Sequence, residues 1–410
     1  MSGVSSWISA AADKHPDRVA IEGPDRTLTY AELRDAAAAR AGVARARRVA
    51  LELPAGEDFV VALHACLLAG AAVVPIDLRL SAAEQAQRRA SAERDPGAPA
   101  DGDVDVAVMH TSGTTAAPKP VVLTRGNFLA SALGSAVALG LDPAERWLCP
   151  MPLTHVGGLS IPIRSAIYAT TAVLHGRFET EAVLNELMDP GRRITIVSLV
   201  PTMLARLLDA GLHRPPTLRW ALLGGGPIAP ALLARAAEAG VPVAPTYGMT
   251  EACSQIATFG WPLAGVGLRT ACDGEVLVRG PIVSAGALAE DGWLHTGDIG
   301  RFDERGRLEI VGRKADTIVT GGENVAPAEV EAALLEHPAV ADAAVHPRSD
   351  AEWGEAVVAT VVLRDGATAE PEELRAHCAA RLASFKVPKM VQFADGLPRT
   401  ASGKLLRRKL

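Results

Sequence analysis

Short apolar runs alternate with longer alanine-rich segments along most of the chain from residue 49 onward. The segments between the runs are long enough for helices. Because strands that alternate with helices form parallel sheets with helices on their faces, the pattern predicts an α/β fold. The runs with the length and apolar content of buried strands are VALEL, AVVPI, DVAVMH, RWLCP, TAVLH, ITIVSLV, RWALLGG and VPVAPTY.

The pattern changes beyond residue 272, where the strands become shorter and helical segments become fewer. Within residues 273–312, EVLVRG, WLHTGD and GRLEIVG are alternating strands with Gly turns, which indicates a small β region. After GRKAD the order is a helix (PAEVEAALLEH), two strands (AVADAAVHP and EAVVATVVLR), a helix (PEELRAHCAARLAS) and a short strand. About 100 residues in this order can form a core of their own. We therefore predict a large N-terminal domain over residues 1–312 and a small α+β domain over residues 313–410.

The charge balance favours a small-molecule ligand. The 410 residues include 41 Lys and Arg against 47 Asp and Glu, a formal net charge of −6 at pH 7. The basic residues form no tract beyond RRK near the C-terminus, so the sequence gives no reason to expect a nucleic-acid partner. Residues 81–103 are polar and contain Pro and Gly, which predicts a surface connection in part of this stretch, away from the chemistry.

Several features bear on the cellular compartment. The first 20 residues lack a basic leader followed by an apolar core, so no secretory signal is predicted. Residues 59–76 have the length of a membrane span, but His64, Gly70 and Pro75 interrupt them, which favours a helix followed by a buried parallel strand. The expected location is cytoplasmic, with no membrane partner. We interpret the five cysteines, none in C-x-x-C spacing, as small core residues: Cys66, Cys149, Cys253, Cys272 and Cys378.

The stretch AVMHTSGTTAAPKPVVLTR, residues 107–125, passes from an apolar run into small and hydroxylated residues. Such a loop offers backbone N–H groups with little side-chain bulk, several hydroxyl donors and one lysine as a point charge for a polyphosphate. The spacing differs from the G-x-x-x-x-G-K-[ST] loop of common NTPases. From these residues alone, an ordinary Ser/Thr-rich turn remains an alternative. The candidate phosphate-binding residues are Thr111, Ser112, Gly113, Thr114, Thr115 and Lys119.

Further motifs follow this loop in a fixed order: YGMTE at 247–251, HTGD at 295–298, GRKADTIVTGGENVAPAEVE at 312–331 and PRTASGK at 398–404. Together with TSGTT and the following PK, they resemble the acyl-adenylating superfamily of acyl-CoA synthetases, adenylation domains and luciferases. The resemblance covers the chain from about residue 15 to its end. It is closest to the o-succinylbenzoate-CoA ligases of menaquinone synthesis, in MPLTHVGGLS, LLGGGPIAP, YGMTEACSQIAT and LPRTASGKLLRRKL.

The resemblance implies a nucleotide site at the carboxyl edge of the sheet. Tyr247 would stack on adenine, Thr250 would hydrogen-bond the α-phosphate, and Glu251 would hold Mg²⁺. Asp298 would bind the ribose hydroxyls, and Lys404 would stabilise the charge that develops on phosphate. Further nucleotide-site residues would be Gly224, Gly225, Gly226, Gly248, Met249 and Arg313. The three glycines at 224–226 also let a flat ligand lie against bare backbone.

On the acyl side, the resemblance implies that His155 guards the pocket and the thiol entrance, and that Gln255 and Ser254 line the pocket. Arg164 would face a second carboxylate of the substrate, since a guanidinium can hold a carboxylate bidentately. Two alternatives stay open: a structural role for His155 at a helix start, and a surface position for Arg164. The CoA-side residues would be Gly321, Gly322 and Glu323.

The implied reaction has two steps and uses ATP, Mg²⁺ and CoA. The carboxylate attacks the α-phosphorus of ATP to give an acyl-adenylate, and the CoA thiol then displaces AMP while the small, mobile domain rotates. Alternatives are a CoA ligase for another aryl or fatty acid, an enzyme that loads a carrier protein, and an inactive nucleotide-binding scaffold. A homodimer is also open. Three residues depart from the pattern of the family: Ala116 and Pro120 replace glycines of the phosphate loop, and Ala315 occupies the hinge position. The first two motivate the scaffold alternative.

Overall fold

The computed structural model describes residues 6–42, 47–93, 103–111, 119–399 and 405–410. Contacts between residues divide the chain into two compact units. Unit 1 comprises residues 1–225, 236–268 and 278–294, and unit 2 comprises residues 226–235, 269–277 and 295–410. The domain boundary between residues 312 and 313 stays a prediction.

The described residues form α-helices that mostly lie between strands. Several begin at residues that satisfy the free N–H groups of the first turn: Thr29 and Thr124 each form a capping box, with Glu32 and Asn127. The helices are α1 (Trp7–Lys14), α2 (Tyr30–Ala41), α3 (Glu57–Leu68), α4 (Ala82–Glu93), α5 (Arg125–Leu139), α6 (Val156–Tyr168), α7 (Thr180–Met188), α8 (Pro201–Asp209), α9 (Pro230–Glu238), α10 (Pro327–Leu335) and α11 (Pro371–Ala379). Among the described residues, none of these helices is both long and apolar enough to cross a membrane.

The strands are short and numerous. They are β1 (Val19–Glu22), β2 (Thr27–Thr29), β3 (Arg48–Leu51), β4 (Ala72–Pro75), β5 (Asp105–Thr111), β6 (Lys119–Thr124), β7 (Arg146–Cys149), β8 (Thr171–Leu174), β9 (Ile196–Leu199), β10 (Trp220–Leu223), β11 (Val243–Met249), β12 (Ser254–Thr258), β13 (Trp261–Pro262), β14 (Gly267–Thr270), β15 (Glu275–Arg279), β16 (Leu294–Phe302), β17 (Leu308–Arg313), β18 (Ile318–Thr320), β19 (Glu323–Val325), β20 (Val340–Asp350), β21 (Gly354–Leu363) and β22 (Met390–Phe393).

Two sheets of unit 1 have parallel centres. The nine-stranded sheet has the order β13-β12-β11-β10-β9-β7-β8-β1-β2, with parallel pairing from β11 to β1 and antiparallel pairing at both ends. A four-stranded sheet has the order β3-β4-β5-β6, in which β6 is antiparallel to β5. Parallel strands buried on both faces require apolar side chains throughout, which explains why their sequences are nearly continuous apolar runs. The predicted α/β fold class is confirmed.

The remaining sheets have four and five strands, and their pairing is largely antiparallel. One has the order β14-β15-β16-β17, and the other has the order β19-β18-β21-β20 with β22 beside β21. The latter forms the core of unit 2 with α10 and α11, where Val330, Leu334, Val345 and Leu374 are buried. The helix, two strands, helix and short strand predicted after GRKAD are found as α10, β20, β21, α11 and β22. The short hairpin of β18 and β19, which was not predicted, comes before them.

One helix was missed, and one sequence-based expectation needs correction. Residues 82–93 form helix α4, which contacts β3 and β4 and was not predicted. Residues 94–102 lie outside the described residues, so a surface connection in part of residues 81–103 stays a prediction. Cys272 is exposed in the turn between β14 and β15, whereas the other four cysteines are buried as predicted; all five are free thiols. By contrast, residues 59–76 form helix α3 and buried strand β4, as predicted.

A buried carboxyl group lies at the amino end of β7. Glu145 is only 2% exposed, and its Oε1 accepts no hydrogen bond from any described residue. Burial raises the pKa of Glu145 to about 7; Arg219, at 3.7 Å, opposes this rise, and Asp142 adds to it. A carboxyl group whose pKa is higher in the folded state binds its proton more tightly there. The stability that this carboxyl group contributes is therefore fully present below its ordinary pKa of about 4.5. It is lost as the pH rises through about 7.

Replacing Glu145 with glutamine should remove this pH dependence. We expect Glu145→Gln to gain on the order of 3 kcal/mol in unfolding free energy at pH 8 relative to pH 4.5, compared with the unmodified protein. Urea unfolding at both pH values measures the difference. Glu238→Gln, which removes an exposed carboxylate, is the control and should leave the pH dependence unchanged. An identical pH dependence in Glu145→Gln would contradict the assignment.

Candidate active site

Bare backbone separates the carboxyl ends of β10 and β11 in unit 1. A Cβ atom on Gly224 would lie 2.8 Å from Thr246 Cγ2 and 2.9 Å from Thr246 O. A Cβ atom on Gly248 would lie 1.7 Å from Ser254 O, closer than any real contact. β10 can approach β11 this closely at Gly224 only because this position carries no side chain. The same holds at Gly248, where β11 approaches Ser254 of β12. Gly225 follows with φ +79°, the left-handed region that favours glycine.

The turn that follows β11 carries two of the predicted catalytic residues. Thr250 and Glu251 lie side by side in a 3₁₀ helix, Thr250–Ala252, and both are partly exposed. The main chain of Glu251 is anchored, because its carbonyl accepts a hydrogen bond from Ser284 N at 2.8 Å. The turn closes with Cys253 and Ser254 at positive φ, 49° and 88°. A hydroxyl and a carboxylate are thus held on one rigid turn with access to solvent.

The hairpin of β5 and β6 lies next to this turn. Both strands contact the 3₁₀ helix Thr250–Ala252, and Thr111 pairs with Lys119 across the hairpin. The hairpin that carries both ends of the predicted phosphate loop is therefore close to the Thr250–Ala252 turn. The loop itself lies outside the described residues, and so do its predicted ligands Ser112, Gly113, Thr114 and Thr115, and also Ala116.

His155 lies at the start of α6, as its N-cap residue, with an exposed side chain. The loop before the helix packs closely: a Cβ atom on Gly158 would lie 2.3 Å from Pro152 O. Removal of water by the surrounding protein lowers the pKa of His155, and nearby Arg79 adds to this, although Asp77 opposes it. The imidazole therefore favours its neutral form.

Arg164 is buried in unit 1, only 2% exposed, between α5, α6 and β7. Its Nη2 donates to Ser131 Oγ at 2.9 Å, and its guanidinium lies 5.7 Å from the centre of the Trp147 ring. Its Nε has no hydrogen-bond partner, and none of the described carboxylates lies within ion-pair distance. Burial lowers the pKa of Arg164. The alternative of a surface arginine is wrong.

Gln255 and Ser254 lie at the start of β12, which pairs with β11. Gln255 is buried, and its Nε2 donates to Thr258 Oγ1 at 3.0 Å. Its Oε1 accepts no hydrogen bond from any described residue. Because buried acceptors are normally hydrogen-bonded, we expect the donor to lie outside the described residues. Tyr247, one strand away, is partly exposed.

The predicted ribose residues belong to unit 2. Asp298 and Arg313 face each other across β16 and β17, and Arg313 Nε lies 2.8 Å from Asp298 Oδ1. Arg313 also donates to Thr296 O at 3.2 Å. These contacts fix the orientation of the Asp298 carboxylate. Gly226 is exposed in this unit, and Lys404 lies outside the described residues.

The predicted CoA-side loop is a two-residue turn between β18 and β19. Gly321 and Gly322 have φ +58° and +86°, and Thr320 pairs with Glu323. A Cβ atom on Gly321 would lie 2.8 Å from the ring of Trp353, so the backbone packs directly against that ring. The glycines are therefore required by geometry, and Glu323 is left exposed at the end of the turn.

Sequence reasoning missed two groups beside these residues. Ser131 links Arg164 to the turn after β11, because its Oγ donates to Cys253 O at 2.8 Å; a single serine in a helix gives no signal of this role. Lys314 lies 2.6 Å from Asp273 and 2.9 Å from Glu275. Its position beside Ala315, the predicted hinge residue, was a signal that could have been used.

Adding a methyl group at Gly248 should disrupt the strand ends. We expect Gly248→Ala to lower the unfolding free energy by at least about 2 kcal/mol, because Ser254 O must move to admit the Cβ atom. Gly286→Ala is the matched control, since no heavy atom lies within 4 Å of its added Cβ. Denaturant unfolding of both variants measures the effect. Equal stability of the two variants would show that the strand ends tolerate a side chain.

The chain is similar to known proteins along most of its length. The family model described as AMP-binding enzyme matches residues 8–93 and 82–286, and the model of the AMP-binding enzyme C-terminal domain matches residues 329–404. A 2-succinylbenzoate–CoA ligase of Bacillus licheniformis is 38% identical over 476 aligned positions, covering 99% of both chains. The corresponding ligase of Geobacillus kaustophilus is 39% identical, covering 100% of this chain and 98% of the relative.

Solved structures give the same result. The o-succinylbenzoate CoA synthetase of Bacillus subtilis, in complex with the acyl-adenylate intermediate, is 35% identical with a TM-score of 0.89, covering 98% of this chain and 97% of that chain. The same synthetase with ATP and a magnesium ion is 35% identical with a TM-score of 0.88, covering 98% of each chain. The close strand ends, the Thr250–Glu251 turn and the Asp298–Arg313 pair thus occur in a chain that belongs to the family of AMP-binding enzymes.

Proposed function

We propose that the protein is an ATP-dependent 2-succinylbenzoate–CoA ligase, which forms an acyl-adenylate and transfers the acyl group to CoA with release of AMP and diphosphate. Its similarity to ligases of this name extends over the whole chain. The observation that carries the choice of acid is Arg164, a buried cation with no carboxylate partner among the described residues.

The first step develops negative charge on the phosphate oxygens of ATP. Thr250 would donate its hydroxyl to the α-phosphate, and Lys404 would place a cation beside the reacting phosphorus. The Asp298 carboxylate, held by Arg313, would accept hydrogen bonds from the ribose hydroxyls. Backbone N–H groups of the loop between β5 and β6 would bind the outer phosphates.

The residues present fit Mg²⁺. Mg²⁺ in nucleotide sites is held by one or two carboxylates together with the phosphates of the substrate. Glu251 supplies a partly exposed carboxylate on a rigid turn, and no described residue forms an ion pair with it. When bound, Mg²⁺ would neutralise the phosphate charge.

The burial of Arg164 supports a dicarboxylate substrate. An isolated charge in a protein interior is costly unless it is paired. Ser131 and the Trp147 ring compensate part of this cost, but neither supplies a negative charge. A substrate with two carboxylates can react through one and pair the other with Arg164. A monocarboxylate would leave the guanidinium unpaired.

The other assignments from the sequence are proposals of the same kind. Residues 1–312 would form the adenylate-forming domain, and residues 313–410 the mobile domain that carries Lys404 and the turn Gly321–Gly322. Gln255, Ser254 and His155 would line the acyl pocket and its entrance. The cytoplasmic location and the homodimer stay predictions.

Replacing Arg164 should lower activity with the dicarboxylate and leave activity with monocarboxylates nearly unchanged. We expect Arg164→Met to cost roughly 2 to 5 kcal/mol in kcat/KM for 2-succinylbenzoate, the range for removing one partner of a desolvated charge pair. For 3-benzoylpropanoate and 2-butanoylbenzoate, which each lack one carboxylate, the cost should be small. Thioester formation with all three acids, by both proteins, gives a difference that cancels general damage.

Arg146→Met is the matched control for this experiment. Arg146 is a partly buried arginine of the same unit, paired with Glu22, and its loss should affect all three acids equally. Parallel losses for the three acids in Arg164→Met would leave an acid–CoA ligase of another specificity. Thioester formation only on a carrier protein, or no ATP-dependent activity with any acid, would favour the carrier-loading and scaffold alternatives respectively.

A further inference from the structure

One hydrogen bond holds the side chain of Arg164. Its Nη2 donates to Ser131 Oγ at 2.9 Å, and Ser131 is its only hydrogen-bond partner among the described residues. The Trp147 ring also lies beside the guanidinium, at 5.7 Å, and is itself fixed because its Nε1 donates to Ser198 Oγ at 2.9 Å. A ring stabilises a cation over its face without fixing the direction of the N–H groups. The direction of the guanidinium therefore depends on Ser131.

The hydroxyl of Ser131 has one arrangement that serves both of its partners. A hydroxyl carries one proton and accepts with two lone pairs, whereas a guanidinium can only donate. Ser131 Oγ must therefore accept from Arg164 and give its own proton to Cys253 O, which lies at 2.8 Å. Ser131 is only 1% exposed, so solvent has little access to either contact. The hydroxyl is thus a fixed acceptor that faces Arg164.

Contacts on both sides of Ser131 hold helix α5 in place. One turn earlier, Asn127 Nδ2 donates to Pro281 O at 2.8 Å. One turn later, Gly134 packs against Leu263, since a Cβ atom on Gly134 would lie 2.9 Å from Leu263 Cβ. Residues three and four apart lie on one face of a helix, so these contacts fix the face that carries Ser131. The hydroxyl is therefore presented from a rigid helix.

From these contacts we propose that Ser131 is a positioning residue for recognition of the acid, which directs the Arg164 guanidinium toward the second carboxylate of the substrate. The inference rests on the proposed function, in which Arg164 pairs with that carboxylate. A guanidinium binds a carboxylate best through two parallel N–H donors, so the pair requires a fixed orientation. The Nε–H of Arg164, which has no partner among the described residues, remains available for the substrate.

The turn after β11 depends less on Ser131, because it has other supports. β12 pairs with β11 on either side of this turn, and Ser284 N donates to Glu251 O at 2.8 Å. Losing the hydrogen bond to Cys253 O removes one support out of several. Arg164, by contrast, would lose the one hydrogen bond that its side chain makes with the described part of the chain. Loss of the serine hydroxyl should therefore act on binding of the acid rather than on the chemistry.

Kinetics with three acids test the proposal. Thioester formation is measured with 2-succinylbenzoate, 3-benzoylpropanoate and 2-butanoylbenzoate at saturating ATP and CoA. Ser131→Ala should raise the KM for 2-succinylbenzoate about tenfold, the scale of a hydrogen bond to a charged group, and change kcat by less than about twofold. For each monocarboxylate that reacts, both constants should change by less than about twofold. An unchanged KM, equal losses for all acids, or a fall in kcat alone would overturn the proposal.

Two further variants test the route through Arg164. Ser131→Thr keeps the hydroxyl and should recover most of the selectivity for the dicarboxylate. The added methyl group costs stability in a packed interior, but the ratio between two acids cancels any loss of folded protein. Ser131→Ala combined with Arg164→Met should be no less selective than Arg164→Met alone, because residues that act through one group are not additive. Additive losses of selectivity would overturn the proposal.

Ser91→Ala is the matched control. Ser91 is another buried helical serine of unit 1, and its Oγ donates to Arg88 O at 2.6 Å and lies 3.0 Å from His110 Nε2. It therefore links a carbonyl and a nitrogen side chain, as Ser131 does. Its loss should affect all acids equally and leave the selectivity unchanged. A loss of selectivity as large as in Ser131→Ala would overturn the proposal, since removing any buried serine would then suffice.

The outcomes distinguish this inference from the proposed function. Parallel losses for the acids in Arg164→Met would reject the pairing of Arg164 with the substrate, and the inference with it. A selective loss in Arg164→Met without a selective loss in Ser131→Ala would reject the inference alone.

Discussion

The close approach of the strand ends at Gly224 and Gly248 is the constraint on which the candidate site depends. The parallel strands β9, β10 and β11 end at one edge of the sheet, and the chain then turns sharply at Thr250–Ala252. A side chain at Gly248 would push Ser254 away and with it the turn that presents Thr250 and Glu251. The absence of a side chain at Gly248 is therefore what permits the turn.

A second constraint is electrostatic. The interior beside this turn contains the cation of Arg164, which the described residues compensate only with a hydroxyl and an aromatic ring. In unit 2, by contrast, two buried carboxylates form ion pairs with arginines. Glu331 pairs with Arg407, and Asp298 pairs with Arg313. These two carboxylates of unit 2 are therefore paired within the unit, whereas Arg164 of unit 1 has no carboxylate partner among the described residues, and the proposed function assigns it a substrate anion.

The periodicity of the sequence predicted most of this architecture, because buried parallel strands need continuous apolar runs and leave a clear pattern. It failed at α4, whose polar and alanine-rich face resembles a loop, and at Cys272, which a turn exposes. Motifs predicted a set of nucleotide-site residues, whose contacts with a nucleotide stay a prediction. They could not predict the burial of Arg164 or the contacts of Ser131 and Arg407, because each depends on a partner more than 30 residues away.

Transfer of oxygen from the acid to AMP tests the acyl-adenylate route most directly. The protein would be supplied with ATP, CoA and 2-succinylbenzoate labelled with ¹⁸O in both carboxylates, and the products analysed by mass spectrometry. Attack of a carboxylate on the α-phosphorus predicts one ¹⁸O atom in AMP for each thioester formed, with the diphosphate unlabelled. Label in orthophosphate or diphosphate, or a thioester formed without labelled AMP, would contradict the account.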